Sequence, residues 1–194
     1  MQMHLTAQQI RLYAQCGWIE FEEFFSQDQC QKLLQEIKQI LQKRGERRAH
    51  SPEALYKIGR DLWQDSKHLQ QLFCSKLFSA AASTLSGKNP LQLACDQWIP
   101  EGMSFSPLNM EAHLSLQGLV CGCLLSIDGD KAGHVRFCHP NRLPLFEKQA
   151  QLLIAYGSLQ TVYIRNPQDP NNPSLKDLGY NFGDRLHPKT HPLC

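Results

Sequence analysis

A pair of thiols, one imidazole and a few isolated charges are the groups in this chain whose type and spacing could do chemistry. Cys121-Gly122-Cys123 places two sulfurs on the same face of a strand, because strand side chains alternate. A zinc site would need a second such pair. The chain has 8 cysteines, but Cys16, Cys30, Cys74, Cys95, Cys138 and Cys194 form no other pair at that spacing. Buried thiols in a reducing, cytoplasmic compartment are the expectation. His113-Leu114-Ser115 stands where the chain enters a strand, and a loop or strand-edge histidine is its plain reading. Asp96 and Trp98 fall on one strand face with Ala94, and could present a polar group beside an aromatic ring to a pocket. Arg136 could do the same from a central strand. The plain alternative for Asp96 and Arg136 is a surface salt bridge. His134 reads as solvent-facing, and His139 before Pro140 as turn chemistry. Asp128 and Asp130 need no explanation beyond their turn. No Gly-rich phosphate loop or nucleophile elbow occurs.

The elements that must position these groups centre on Gly118 to Pro140, GLVCGCLLSIDGDKAGHVRFCHP. A short apolar run ends in the turn Asp128-Gly129-Asp130, and Gly133 opens a second run alternating at the strand period of two. Upstream the pattern is helical. Thr6-x-x-Gln9 predicts a capped helix ending at Gly17, with a short strand from Trp18 to Phe21. Ser26 caps a helix whose Cys30, Leu33, Leu34, Ile37, Ile40 and Leu41 recur at helical spacing. Residues 45 to 51 read as a loop, Ser51-Pro52 starts a short helix, and Ser66 is expected to cap one long helix to Leu85. Strands are expected over Leu91–Trp98, and on either side of Gly157-Ser158. The aromatics of the Gly-rich tail should pack on the sheet.

At 194 residues with 42% hydrophobic and 20% charged residues, the chain reads as a single domain, 1–194. Residues 1–90 would be helical support, 91–166 the core strands and 167–194 a C-terminal tail. Helices first and strands later predict an α+β fold, a β-sandwich or barrel with helices on one face. A net charge of +2 is too balanced to argue for nucleic acid. A regulatory nucleic-acid binder would rest on Lys43 to Arg48 alone, a run that a helix C-terminus already favours. No secretory segment is seen, and no stretch reaches the ~18 apolar residues of a membrane span.

Two stretches carry a family likeness. LTAQQIRLYAQCGWIEFEEFFSQDQCQKLLQEI and LLSIDGDKAGHVRFCHPNRLP resemble the N-terminus and core of phytanoyl-CoA hydroxylase-like proteins, a branch of the 2-oxoglutarate/Fe(II) dioxygenases. The chain also resembles a smaller branch from intracellular bacteria with this fold and no clear metal site. The resemblance implies a double-stranded β-helix, a cupin-like jelly roll, with N-terminal helices packed on one face. It implies Fe(II) held by two His and one carboxylate, and an Arg anchoring 2-oxoglutarate. The His-x-carboxylate slot here reads His113-Leu114-Ser115. The distal slot, Gly157 to Asn166, holds no His, though Arg165 matches the anchor. His187 or His191 would have to fold back into the barrel mouth to complete a triad. The expectation is a pseudoenzyme that has lost the iron site and binds a small molecule or a protein partner. The alternative is an active dioxygenase, using Fe(II) and 2-oxoglutarate at a reorganised site.

Overall fold

The computed structural model describes residues 5–45 and 51–194. Thr6 opens α1 (Ala7–Cys16) with the reciprocal capping box, and Gly17 closes it at φ 79. β1 (Trp18–Phe21) follows. Ser26 then caps α2 (Gln27–Arg44), which buries Cys30, Leu33, Ile37, Ile40 and Leu41. The loop expected over 45 to 51 lies mostly outside the described residues. Ser51 caps α3 (Pro52–Ile58), and Leu62–Gln64 form a 3-10 turn.

The long helix expected from Ser66 is broken into α4 (Lys67–Phe73) and α5 (Lys76–Ser86). Ser75 is extended (φ −64, ψ 151) at the position that starts α5. Serine favours a helix start over a helix interior, so the run restarts there. The Tyr156 hydroxyl donates to the Phe73 carbonyl at 2.6 Å, satisfying an acceptor that the break releases.

Beyond α5 come β2 (Gln92–Ile99), α6 (Met110–His113), β3 (Leu116–Ser126), β4 (Val135–Cys138) and β5 (Gln151–Tyr163). The five strands form one antiparallel sheet, ordered β1-β4-β3-β5-β2. The two strands expected around Gly157 are a single bent one. Its pairing with β3 shifts register between Gln117 and Leu119 and again before Cys121. A Cβ on Gly157 would lie 2.2 Å from Thr161 Oγ1, so only glycine allows this approach.

Alternation divides the sheet's two faces. Cys121, Cys123, Leu125, Leu152, Ile154 and Tyr156 pack with the helices. Leu124, Leu153, Ala155 and Tyr163 pack on the open side under Met110, Phe146, Leu175 and Tyr180. A register shift between Leu93 and Cys95 puts Ala94 and Cys95 on the open side, while Trp98 joins the helix side. Ala94 and Trp98 therefore do not share a face, because one bulged residue reverses the alternation. The β2 edge is covered by bridges from Arg60 and Leu193. Among the described residues no helix is long and apolar enough to cross a membrane.

Candidate functional site: the mouth of the half-barrel

β3 begins the site. Asn109 caps α6, which delivers His113, Leu114 and Ser115 to the start of that strand. The His113 ring packs on Phe105 at 4.7 Å, and its Nε2 lies 2.8 Å from the Pro107 carbonyl. That carbonyl only accepts, so Nε2 carries the proton and donates. Two residues on, the Ser115 amide and hydroxyl both donate to Asp169 Oδ2 at 2.8 Å. Asn172 Oδ1 lies 3.1 Å from the same hydroxyl.

Asp169 is tied on its other side as well. Its Oδ1 pairs with the Arg60 guanidinium at 3.1 Å and accepts the Asn171 amide at 2.9 Å. Arg60 Nε donates to Gln97 Oε1 at 2.6 Å, and Gln97 Nε2 donates to the carbonyls of Tyr56 and Trp98. Arg60, Gln97, Ser115 and Asp169 are all buried. Burial disfavours the Arg60 charge, but the adjacent Asp169 carboxylate outweighs it and holds the guanidinium protonated. A buried pair with this many satisfied atoms escapes most of the usual desolvation penalty.

Above this network opens a cleft of about 510 Å³, lined by Tyr56, Met103, Phe105, His113, Lys57 and Gln168 among others. Tyr56 forms part of its wall, and burial raises the phenol above its ordinary pKa.

The other singled-out residues lie elsewhere. Asp96 is fully buried, its oxygens accepting the Leu62 and Trp63 amides at 3.0 Å each. Burial pushes its carboxyl up to about 8. Trp98 is buried in the helix-side core. Arg136 reaches back to Glu20 on β1 at 2.7 Å, donates to the Pro144 and Leu145 carbonyls, and stacks on Phe146 at 3.9 Å. His134 is not turned to solvent, since Glu20 draws its Nδ1 to 2.9 Å. Arg165 and His187 are exposed. His191 is buried between Trp63 and Tyr180, and burial lowers its pKa to about 4. Cys121 and Cys123 are buried in the helix-side core, where burial raises both thiols, Cys121 to about 12. Of the basic run, Arg44 is spent inside the fold. It donates to the carbonyls of Ile58, Arg60 and Asp61 and pairs with Asp65. Arg47 and Arg48 lie outside the described residues.

Residue reasoning missed Arg60 and Asp169. They are 109 positions apart and belong to segments without periodicity, so no local signal joins them.

Among the described residues, one trio of metal-ligating side chains converges, Glu20, Glu22 and His134. It lies at the β1–β4 side, away from the mouth, and Glu20 there is already paired with Arg136 and Lys131. Partial burial pushes the Glu20 carboxyl up, but hydrogen bonds from His134 and Arg136 outweigh it and keep it low. At the mouth itself, the residues do not fit iron held by two imidazoles and a carboxylate. His113 Nε2 is engaged, Ser115 stands where the family likeness implies a carboxylate, and the nearby carboxylate of Asp169 is enclosed by Arg60, Ser115 and Asn171.

No protein-family model and no curated protein matches the chain. Solved structures do match. The non-heme alpha-ketoglutarate-dependent carbocyclase SnoK from nogalamycin biosynthesis superposes with TM-score 0.72 at 15% identity, over 98% of this chain and 96% of that one. The epimerase SnoN, solved with Fe3+, alpha-ketoglutarate and nogalamycin RO, gives 0.66 at 14% identity, over 96% and 97%. CT296 from Chlamydia trachomatis gives 0.60 at 18% identity, over 81% of this chain and 98% of that one. Helices on one face of an antiparallel sheet, with these neighbours, make this the double-stranded β-helix fold of the 2-oxoglutarate/Fe(II) oxygenases.

Proposed function

We propose that this chain is an oxygenase-fold pseudoenzyme that binds a small molecule at the barrel mouth without an iron centre. Within the superfamily we place it beside the phytanoyl-CoA hydroxylase-like branch, on the likeness of residues 5–37 and 124–144. One observation carries the loss of iron chemistry. Ser115, at the carboxylate position of the His-x-carboxylate slot, gives its amide and hydroxyl to Asp169 in a buried network locked by Arg60. Freeing Asp169 for a metal would strand the Arg60 charge in the interior. The binding half rests on the cleft above, whose size falls within the usual range for ligand pockets. Phe105, Tyr56 and Met103 supply apolar wall, while Lys57 and Gln168 supply polar groups at its rim.

Anaerobic titration with Fe(II) and 2-oxoglutarate tests the reading, followed by ligand-observed NMR with small aromatic acids. No metal-to-ligand absorption band is expected, and aromatic binders should be released by Phe105→Ala. A band that disappears in His113→Ala would overturn the loss of the iron site. Failure of every aromatic acid to bind would overturn the assigned ligand site.

A further inference from the structure

Two of the chain's thiols, Cys74 and Cys194, stand together where reagents can reach them. Cys74 lies at the break between α4 and α5, its amide donating to the Gln70 carbonyl at 3.0 Å. Cys194 comes to it from the tail, and the start of β2 holds it there. The Cys194 amide donates to the Leu91 carbonyl at 2.9 Å, and the Leu93 amide to the Pro192 carbonyl at 3.0 Å. The Gln92 side chain donates to the His191 carbonyl at 3.0 Å. So placed, the Cys194 thiol lies within hydrogen-bonding reach of the Cys74 sulfur. Both side chains pack on the helix-side core. Both sulfurs also surround the buried Tyr156 hydroxyl, which is fixed on the Phe73 carbonyl at 2.6 Å. The pair is positioned by hydrogen-bonded backbone on each side.

Exposure and surroundings set this pair apart. Cys30, Cys95, Cys121, Cys123 and Cys138 are buried, and burial raises each thiol above its ordinary value. A buried thiol that keeps its proton is inert, because the thiolate is the nucleophile. Cys74 and Cys194 are only partly buried. The hydrogen bond from Cys194 lowers the Cys74 thiol and outweighs burial, while the same contact and burial together raise Cys194. One sulfur is thus disposed to ionise and its neighbour to keep its proton. A structural metal would need more ligands than two thiolates. Among the described residues the converging trio of ligating side chains is Glu20, Glu22 and His134, which includes neither cysteine. Two adjacent thiols without further ligands are equipped for redox chemistry instead.

We propose that Cys74 and Cys194 form a reversible disulfide in response to hydrogen peroxide, with Cys74 as the attacking thiol and Cys194 as the resolving one. The Cys74 thiolate attacks one peroxide oxygen and the O–O bond breaks. The departing hydroxide takes up the proton that Cys74 released and leaves as water, and Cys74 becomes a sulfenic acid. The Cys194 sulfur then attacks the Cys74 sulfur, forming the S–S bond and breaking the S–O bond. Hydroxide leaves with the Cys194 proton as a second water. The two thiols give up two electrons to one peroxide, and a dithiol reductant returns them by exchange. The bond fastens the tail to the α4–α5 break on the helix side of the sheet, and does not depend on what the mouth binds.

The test is peptide mapping of the reduced full chain after a graded excess of hydrogen peroxide, alkylation with N-ethylmaleimide and non-reducing digestion. The expected product is a cross-link between the peptides that carry Cys74 and Cys194, lost again on treatment with dithiothreitol. In Cys194→Ser, peroxide should leave Cys74 as a sulfenic acid that dimedone labels. In Cys74→Ser, labelling of Cys194 should be weaker by about tenfold or more. A thermal melt checks the fold of both variants, and the mapping of the unsubstituted chain stands without them. Absence of the cross-link at every peroxide level, or pairing of either thiol with Cys16 in its place, would overturn the disulfide. Dimedone labelling of Cys194 in Cys74→Ser equal to that of Cys74 in Cys194→Ser would overturn the assigned order of attack.

Discussion

Asp96 is fully buried and caps the turn at Leu62–Gln64 through two backbone amides. Burial raises its carboxyl to about 8 against roughly 3.9 in an unfolded chain. The folded state then holds a proton that the unfolded state has released. Stability therefore falls as pH rises from about 4 to 8, and levels off above that. Two other buried groups shape the same curve. Asp61, raised to about 6, acts in the same direction over a shorter range. His191, lowered to about 4, acts in the opposite direction and loses stability as pH falls below roughly 6.5. Between pH 6.5 and 8 Asp96 outweighs both of them. Melting temperatures should decline across that window in the native protein, and Asp96→Asn should flatten the decline. The same variant should lower stability by about 1–3 kcal/mol, because an amide cannot accept from both backbone N–H groups. An unchanged slope would mean that Asp96 is ionised in the fold.

Elements meet at glycines where backbones approach too closely for a side chain. Gly133, at φ 88 just before β4, accepts the Phe25 amide at 3.1 Å and so joins the start of α2 to the central sheet. A Cβ there would lie 2.1 Å from the Phe25 carbonyl oxygen. That neighbour is backbone and cannot turn aside. Gly133→Ala should cost about 2–4 kcal/mol, combining the positive φ with the forced shift. Urea denaturation measures it, and a loss under about 1 kcal/mol would show that the loop before β4 moves freely. The break between α4 and α5 belongs to the same scale. The apolar spacing runs on through Cys74 and Ser75, but serine's preference for a helix start and the Tyr156 hydroxyl on the Phe73 carbonyl end one helix and start another.

Across the whole molecule, Arg60 and Asp169 tie the segment after α3 to the loop that follows β5. Ser115 and Gln97 extend the tie to β3 and β2. Arg60→Met leaves the Asp169 carboxylate buried without its counter-charge, and should cost about 3–5 kcal/mol. Paired with Asp169→Asn in a double-mutant cycle, it should show a coupling above about 1 kcal/mol by urea denaturation. Hydrogen exchange in Arg60→Met should accelerate first over residues 164–191, the part of the chain that the pair fastens down. Additive effects of the two substitutions would mean that the pair is not what joins these segments.

The sequence by itself determined the pieces whose causes are local. Thr6, Ser26 and Ser51 mark helix starts because their side chains cap nearby amides, and Gly17 ends a helix because few residues accept a positive φ. Period-two alternation marked the strands on either side of Asp128-Gly129-Asp130, and the family likeness alone made His113-Leu114-Ser115 the place to look for a His-x-carboxylate pair. The tertiary structure alone decided what Ser115 meets. Arg60, Gln97, Ser115 and Asp169 meet only when the sheet curls and the tail folds over it, and pairing between such distant segments leaves no trace in either one. The face of Ala94 was likewise set by a bulge, which one-dimensional alternation cannot register.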